Sequence, residues 1–287
     1  MNNNVYLKWL IPLIFVLTLC ATLAGLWPAD AEPYAITNFR GEQVTIHAGG
    51  LYYWDTVSSV AQMQANDLVT LIVGLPLLVI SFWLTLRGSL RGRLLLTGTL
   101  GFILYTYITM CFGAAYNKLF LIYVSLFSLS LYAFILCMLS FDLKTLPSYF
   151  SDRLPRKGIA ALLFFAAAFL MLAWLGRIAP TLLQDQNPAL ENVTSMFIQA
   201  MDLALIVPLC ILSAILLLKR RPLGYLLASM GMMKFLTMGL AVSVMGFNMA
   251  RVGVPVSMVE LIIFPTITLI NIIMTAIMLK NIKTTHV

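Results

Sequence analysis

Two stretches decide how this chain is read: QANDLVTLIV at residues 64–73 and QAMDLALIVP at residues 199–208. Each opens a long apolar run with the same Gln-Ala-x-Asp-Leu, and each brings a carboxylate (Asp67, Asp202) to the edge of hydrocarbon-like sequence. The similarity extends outward from both. Upstream, DTVSSVAQMQANDL (55–68) lies against ENVTSMFIQAMDL (191–203) with one gap. Downstream, RGSLRGRLLLTG (87–98) lies against KRRPLGYLLASM (219–230).

The surroundings of these stretches fix the class of protein. Of 287 residues, 61% are hydrophobic and only 10% charged, whereas a soluble domain carries about 25% charged residues. So few charges cannot cover a surface in water. Windows of about 20 apolar residues give eight segments, near residues 9–27, 68–86, 94–115, 119–140, 159–178, 197–218, 225–247 and 256–279. An all-α integral membrane protein with eight transmembrane helices is expected, because only helices and closed barrels satisfy their backbone groups in lipid. The reading divides the chain into a signal-anchor helix (1–27) and an extracytoplasmic segment (28–66). Helices 2–4 (67–140), a cytoplasmic loop (141–158), and helices 5–8 with a short cytoplasmic tail (159–287) complete it. The alternative for the first segment, a cleaved secretory signal ending at Ala29-Asp30-Ala31, is weakened by the length of its apolar run.

Lys and Arg concentrate in alternate connections. One side holds Lys8, Arg87, Arg91, Arg93, Lys144, Arg153, Arg156, Lys157, Lys219, Arg220, Arg221, Lys280 and Lys283, while the other holds only Arg40, Lys118, Arg177 and Arg251. The positive-inside rule places both termini in the cytoplasm. It also makes the net charge of +7 a topology signal rather than a nucleic-acid footprint. Four crossings return the chain to its starting side, so matching halves 1–4 and 5–8 form a parallel repeat about an axis along the membrane normal. Asp67 and Asp202 are then expected at equivalent positions. The competing explanation is that basic turns followed by Leu-rich helices resemble one another generally. It covers the downstream match but not the shared Gln-Ala-x-Asp-Leu.

LRGRLLLTGTLGFILYTY, YNKLFLIYVSLFSLSLYAF and DLALIVPLCILSAILLLKRRPLGYLLA resemble blocks in a group of uncharacterised bacterial multi-pass membrane proteins with no established activity. The resemblance covers most of the chain after Gly49 and implies a bacterial inner (plasma) membrane location. It implies nothing about chemistry.

Charged residues inside apolar segments are the candidates for function, since an unpaired one costs several kcal/mol. Lys234 falls near the middle of segment 7. Asp202 and Glu260 fall about five residues inside segments 6 and 8, and Asp67 falls at the outer mouth of segment 2. Asp67 reads either as a helix-start carboxylate favoured by the dipole or as a site residue. A helix beginning at Glu191 or Asn192 would put Asp202 several turns in. Lys234 is expected to pair with Asp202 or Glu260, as a substrate or ion site or as a purely structural pair. Pro76, Pro208 and Pro265 interrupt helix interiors, and Gly224, Ser229, Gly231 and Gly239 favour close helix packing. Asn117 and Asn271 offer hydrogen bonds between helices.

In the outer segment, EQVTIHAGGLYYW (42–54) suggests a β-hairpin or turn. Asp55 is expected to cap the helix that follows, and Tyr52, Tyr53 and Trp54 to form an interfacial belt. Cys20, Cys111, Cys137 and Cys210 read as packing residues. His47 and His286 supply no intramembrane metal site, and no nucleophile or phosphate-loop motif appears. The chain is therefore expected to be no enzyme, the alternative being an intramembrane enzyme with Asp67 and Asp202 as acid and base, and to need no cofactor or metal. Its expected partners are the lipid bilayer and a small solute or another membrane protein, not nucleic acid. A carrier of a small solute, ion or lipid is the favoured reading. The alternative is a non-transporting accessory, sensor or assembly protein.

Overall fold

A computed structural model describes residues 3–30, 32–184 and 190–283; the rest of the expected tail, including His286, lies outside the described residues. Among these, eight helices are long and apolar enough to cross a membrane: α1 (Asn3–Leu26), α2 (Val57–Leu86), α3 (Leu90–Gly113), α4 (Phe120–Leu139), α5 (Arg156–Leu183), α6 (Phe197–Leu218), α7 (Pro222–Arg251) and α8 (Met258–Lys280). The protein is a multi-pass membrane protein.

Helices α3 and α7 are the most buried, with 61% of each apolar window inside the protein, against 22% for α5 and α8. The outer helices present their apolar sides outward, as lipid solvation allows. Close approach of the two central helices depends on Gly98: a Cβ built there would lie 2.4 Å from Met233 Cβ and 3.1 Å from the Met230 carbonyl. Two hydrophobic clusters result. One joins Leu7–Cys137 with Ala241 of α7, and the other joins Phe141–Ile282 with Leu94 of α3. Each core is thus built almost wholly from one half of the chain.

The tight turns after α2 and α6 are the same structure. Gly88 N–H donates to Thr85 O and Ser89 N–H to Leu84 O, both at 3.0 Å. Arg220 N–H donates to Leu217 O at 3.0 Å and Arg221 N–H to Leu216 O at 2.9 Å. This pairing of bonds closes a helix through a left-handed residue, here Gly88 at φ 80° and Arg220 at φ 53°. Gly92 and Gly224 then let α3 and α7 press against the preceding helices: an added Cβ would meet Leu84 Cβ at 2.4 Å and Leu216 C at 2.3 Å, respectively.

Both α2 and α6 also contain one π-helical turn, at Thr70–Gly74 and Asp202–Ile206, each followed by a proline (Pro76, Pro208). The register that carries Pro76 onto Pro208 also carries Arg87 onto Lys219 and Gly92 onto Gly224. In that register Asp202 faces Thr70, and Asp67 faces Gln199. The Gln-Ala-x-Asp-Leu match is three residues away from it. The two aspartates are therefore not equivalent positions: Asp202 opens its π-turn, while Asp67 precedes its own by nearly a helical turn.

At one end of the molecule β1 (Tyr34–Thr37) and β2 (Gln43–Ile46) form an antiparallel hairpin, with Ile46 bridging on to Thr56. Here the helix cap is Thr56, whose side chain accepts from Ser59 N–H. The expected cap, Asp55, instead accepts from Ala115 N–H at 2.9 Å and ties the hairpin to the α3–α4 connection. The hairpin also reaches the other half: Asn38 donates to Glu191 O at 2.7 Å, Arg40 to Glu191 O and Val193 O, and Thr56 to the Glu191 carboxylate. At the opposite, basic end, Phe150 bridges to Ile282, and Arg91 donates to Ile282 O.

Candidate functional site

Asp67 lies in the eleventh position of α2, which begins at Val57, so it is not a helix-start carboxylate. It is 2% exposed, and Oδ2 accepts a 2.6 Å hydrogen bond from Tyr52 Oη. Tyr52 is itself only 2% exposed, whereas Tyr53 and Trp54 are 41% and 61% exposed. Only the latter two are placed as the expected belt requires, and Tyr52 turns inward. Gly25 of α1 makes this possible: a Cβ there would stand 2.0 Å from Asp67 Oδ2 and 2.6 Å from Tyr52 Oη.

Around this pair α3 and α4 contribute Tyr107 and Tyr123, their rings stacked at 6.0 Å. Tyr107 faces Thr18 of α1 and Tyr123 faces Tyr52, both within electrostatic reach of the Asp67 carboxylate. The hydroxyls of Tyr107, Tyr123, Thr18 and Thr70 are all buried and none makes a well-formed hydrogen bond, although Tyr107 and Thr18 face each other and Tyr123 faces Tyr52 and Asn117. Such groups are uncommon in folded proteins, and each needs a reason. Above Tyr52 and Gly25 a cavity of about 200 Å³ opens at the hairpin end, walled by His47, the Gly49–Gly50 turn and Gln64.

The second carboxylate is held differently. Asp202 lies five residues after the start of α6 at Phe197, nearer the helix start than expected, because the chain at 190–195 forms turns instead of helix. It is 6% exposed, and both oxygens are satisfied: Tyr105 Oη of α3 donates to Oδ1 at 2.8 Å and Trp174 Nε1 of α5 to Oδ2 at 2.9 Å. Lys234 is buried nearby, but among the described residues no ion pair within 4.0 Å joins it to Asp202 or Glu260. Its ammonium instead lies 4.1 Å from the centre of the Tyr105 ring and 5.3 Å from that of Phe235. Tyrosine thus stands between the charges, offering its electron-rich face to the cation and its hydroxyl to the anion. A void of about 20 Å³, room for roughly one water, adjoins Lys234, Cys210 and Ser213.

Glu260 does not join this network. It is exposed in the first turn of α8, capped by Ser257, where a carboxylate is favoured by the helix dipole. Asn117 bonds locally, accepting from Leu119 N–H at 3.0 Å, and Asn271 accepts from Thr275 of its own helix at 2.9 Å. An asparagine bond between helices runs instead from Asn248 of α7 to Ala61 O of α2, at 2.7 Å. The four cysteines are free.

Sequence reading missed Tyr105, Tyr107, Tyr123, Trp174 and Thr18. A usable signal was present in LYTYIT (104–109), since a tyrosine hydroxyl in mid-membrane requires a partner. No protein-family model, curated protein or solved structure matches the chain.

Proposed function

We propose that the protein is a carrier of a small polar solute or ion, built from two parallel four-helix halves, with the zone around Asp67 as its site. The observation that carries this reading is a buried carboxylate, with the buried hydroxyls of Tyr107 and Tyr123 nearby, next to Gly25 and Tyr52 at the base of a cavity open at one end of the molecule. Matching turns after α2 and α6, matching π-turns, and one core cluster per half support the duplication. Many carriers bind their substrates where helices are interrupted between repeats, and the π-turns interrupt the regular winding of α2 and α6. The Lys and Arg distribution supports an outward-facing hairpin and cytoplasmic termini.

The hairpin's bonds to Glu191 and Val193 favour a second reading. They lock the outer ends of the halves together, as a static accessory or sensor would require. Access separates the two. In a cysteine-free background, Thr70→Cys in a carrier reacts with a membrane-impermeant thiol reagent applied from either side in separate experiments. Reaction from one side only, or from neither, defeats the carrier reading.

A further inference from the structure

The two halves handle the same difficulty, a carboxylate inside the membrane, in different ways. Asp202 has Lys234 across the Tyr105 ring and a hydrogen bond to each oxygen. Asp67 has one donor, Tyr52, and among the described residues no Lys, Arg or His forms an ion pair or hydrogen bond with it. In the register set by the prolines and turns, Lys234 corresponds to Phe102. That ring packs against Gly74, where an added Cβ would meet Phe102 Cε1 at 3.2 Å. The half containing Asp67 thus has an aromatic ring where the other half has its counter-charge. A carboxylate left unmatched at this depth takes up a proton or a cation from outside the chain.

The surrounding atoms indicate which charge. Tyr107, Tyr123, Thr18 and Thr70 are each 2% exposed or less, and their hydroxyls make no well-formed hydrogen bond. One carboxylate with several neutral oxygens is a hard, oxygen-only donor set carrying a single negative charge. Calcium sites gather several acidic ligands, and no group of three or more His, Cys, Asp or Glu suited to a metal occurs among the described residues. We propose that Asp67, with the hydroxyls of Tyr107, Tyr123 and Thr70, forms a binding site for a small monovalent cation of the sodium type. The ion enters from the cavity at the hairpin end, past Gly25 and Tyr52.

This site stands whether or not the protein carries a solute, so its test is independent of the access experiment. Purified full-length protein in nanodiscs at pH 8 is assayed for binding of radioactive sodium and for thermal stability in sodium, potassium or choline chloride. Saturable sodium binding is expected, with a melting temperature higher in sodium than in choline. Asp67→Asn removes both effects, whereas Asp202→Asn keeps them because that carboxylate is balanced within the protein. Tyr107→Phe and Thr70→Val, which fill the same space, weaken sodium binding by about tenfold each, the equivalent of one charge–oxygen contact. These two variants keep the proposal testable if Asp67→Asn does not fold. Identical melting in all three salts overturns it. So does a carboxylic-acid infrared band at pH 8 that vanishes in Asp67→Asn, because a proton would then be the balancing charge.

Discussion

Asp55 and Lys234 show how a single residue's neighbours set its behaviour. Asp55 is outside the membrane spans yet only 6% exposed, and its Oδ2 has no hydrogen-bond partner. Burial raises its carboxyl from 3.8 to about 6, against the opposing effect of the Ala115 N–H. With a folded pKa above the unfolded one, the native state takes up the proton first. Stability is therefore greatest at low pH within this window and falls as pH rises from 3.8 to about 6. The loss amounts to roughly 3 kcal/mol if the hairpin end unfolds with the rest. Thermal unfolding across pH 4–7 should show this slope, and Asp55→Asn should flatten it. An unchanged slope in that variant would assign the pH dependence elsewhere.

Lys234 makes a complementary case. Because Tyr105 lies between it and Asp202, Lys234→Met should destabilise the protein by about 3 kcal/mol or more, leaving Asp202 without its balancing charge. Adding Asp202→Leu should recover much of that loss, a coupling of at least about 1 kcal/mol in a double-mutant cycle. Glu260→Leu, at an exposed helix start, should combine additively with Lys234→Met. Additivity with Asp202→Leu as well would mean that the tyrosine does not link the charges.

At the scale of elements, the turns after α2 and α6 offer a matched comparison. Gly88 and Arg220 fill the same left-handed position, but only glycine reaches it without a Cβ penalty. Arg220→Gly is expected to stabilise the protein by roughly 1 kcal/mol, and Gly88→Ala to destabilise it by about the same amount. Paired thermal melts decide this; shifts in the same direction would show that the turns are not energetically alike. Elements were legible in part. The apolar lengths gave eight spans because bilayer thickness sets how many apolar residues a crossing needs. The polar stretch before the second span reads as a helix running into it, and it is one, starting at Val57. Only the cap moved, from Asp55 to Thr56, and the polarity of the stretch hid that Val60, Ala61, Ala65 and Asn66 are buried against other helices. The π-turns have no local signature beyond the prolines that follow them.

For the whole molecule, the arrangement of basic residues predicts one orientation. Phe39, 73% exposed on the hairpin turn, and Ser148 in the opposite loop are suitable probe positions. An impermeant thiol reagent added outside intact cells should label Phe39→Cys and spare Ser148→Cys. The reverse pattern would invert the topology and place the Asp67 cavity on the cytoplasmic side.

Composition and spacing by themselves determined that this chain lives in a bilayer and how often it crosses, and they marked Asp67, Asp202 and Lys234 as charges buried at a cost, though they marked the exposed Glu260 as well. Those properties follow from the solvent, which acts on each segment separately. Packing alone decided which charge is matched. Tyr52, Tyr105, Trp174 and Lys234 are far apart in sequence, and a tyrosine's hydrophobic ring conceals from any periodicity where its hydroxyl will bond. The same holds for the register of the halves. Four shared letters favoured one alignment, and the turn bonds, π-turns and glycine contacts favoured another, because backbone geometry rather than side-chain identity is what two similarly packed halves hold in common.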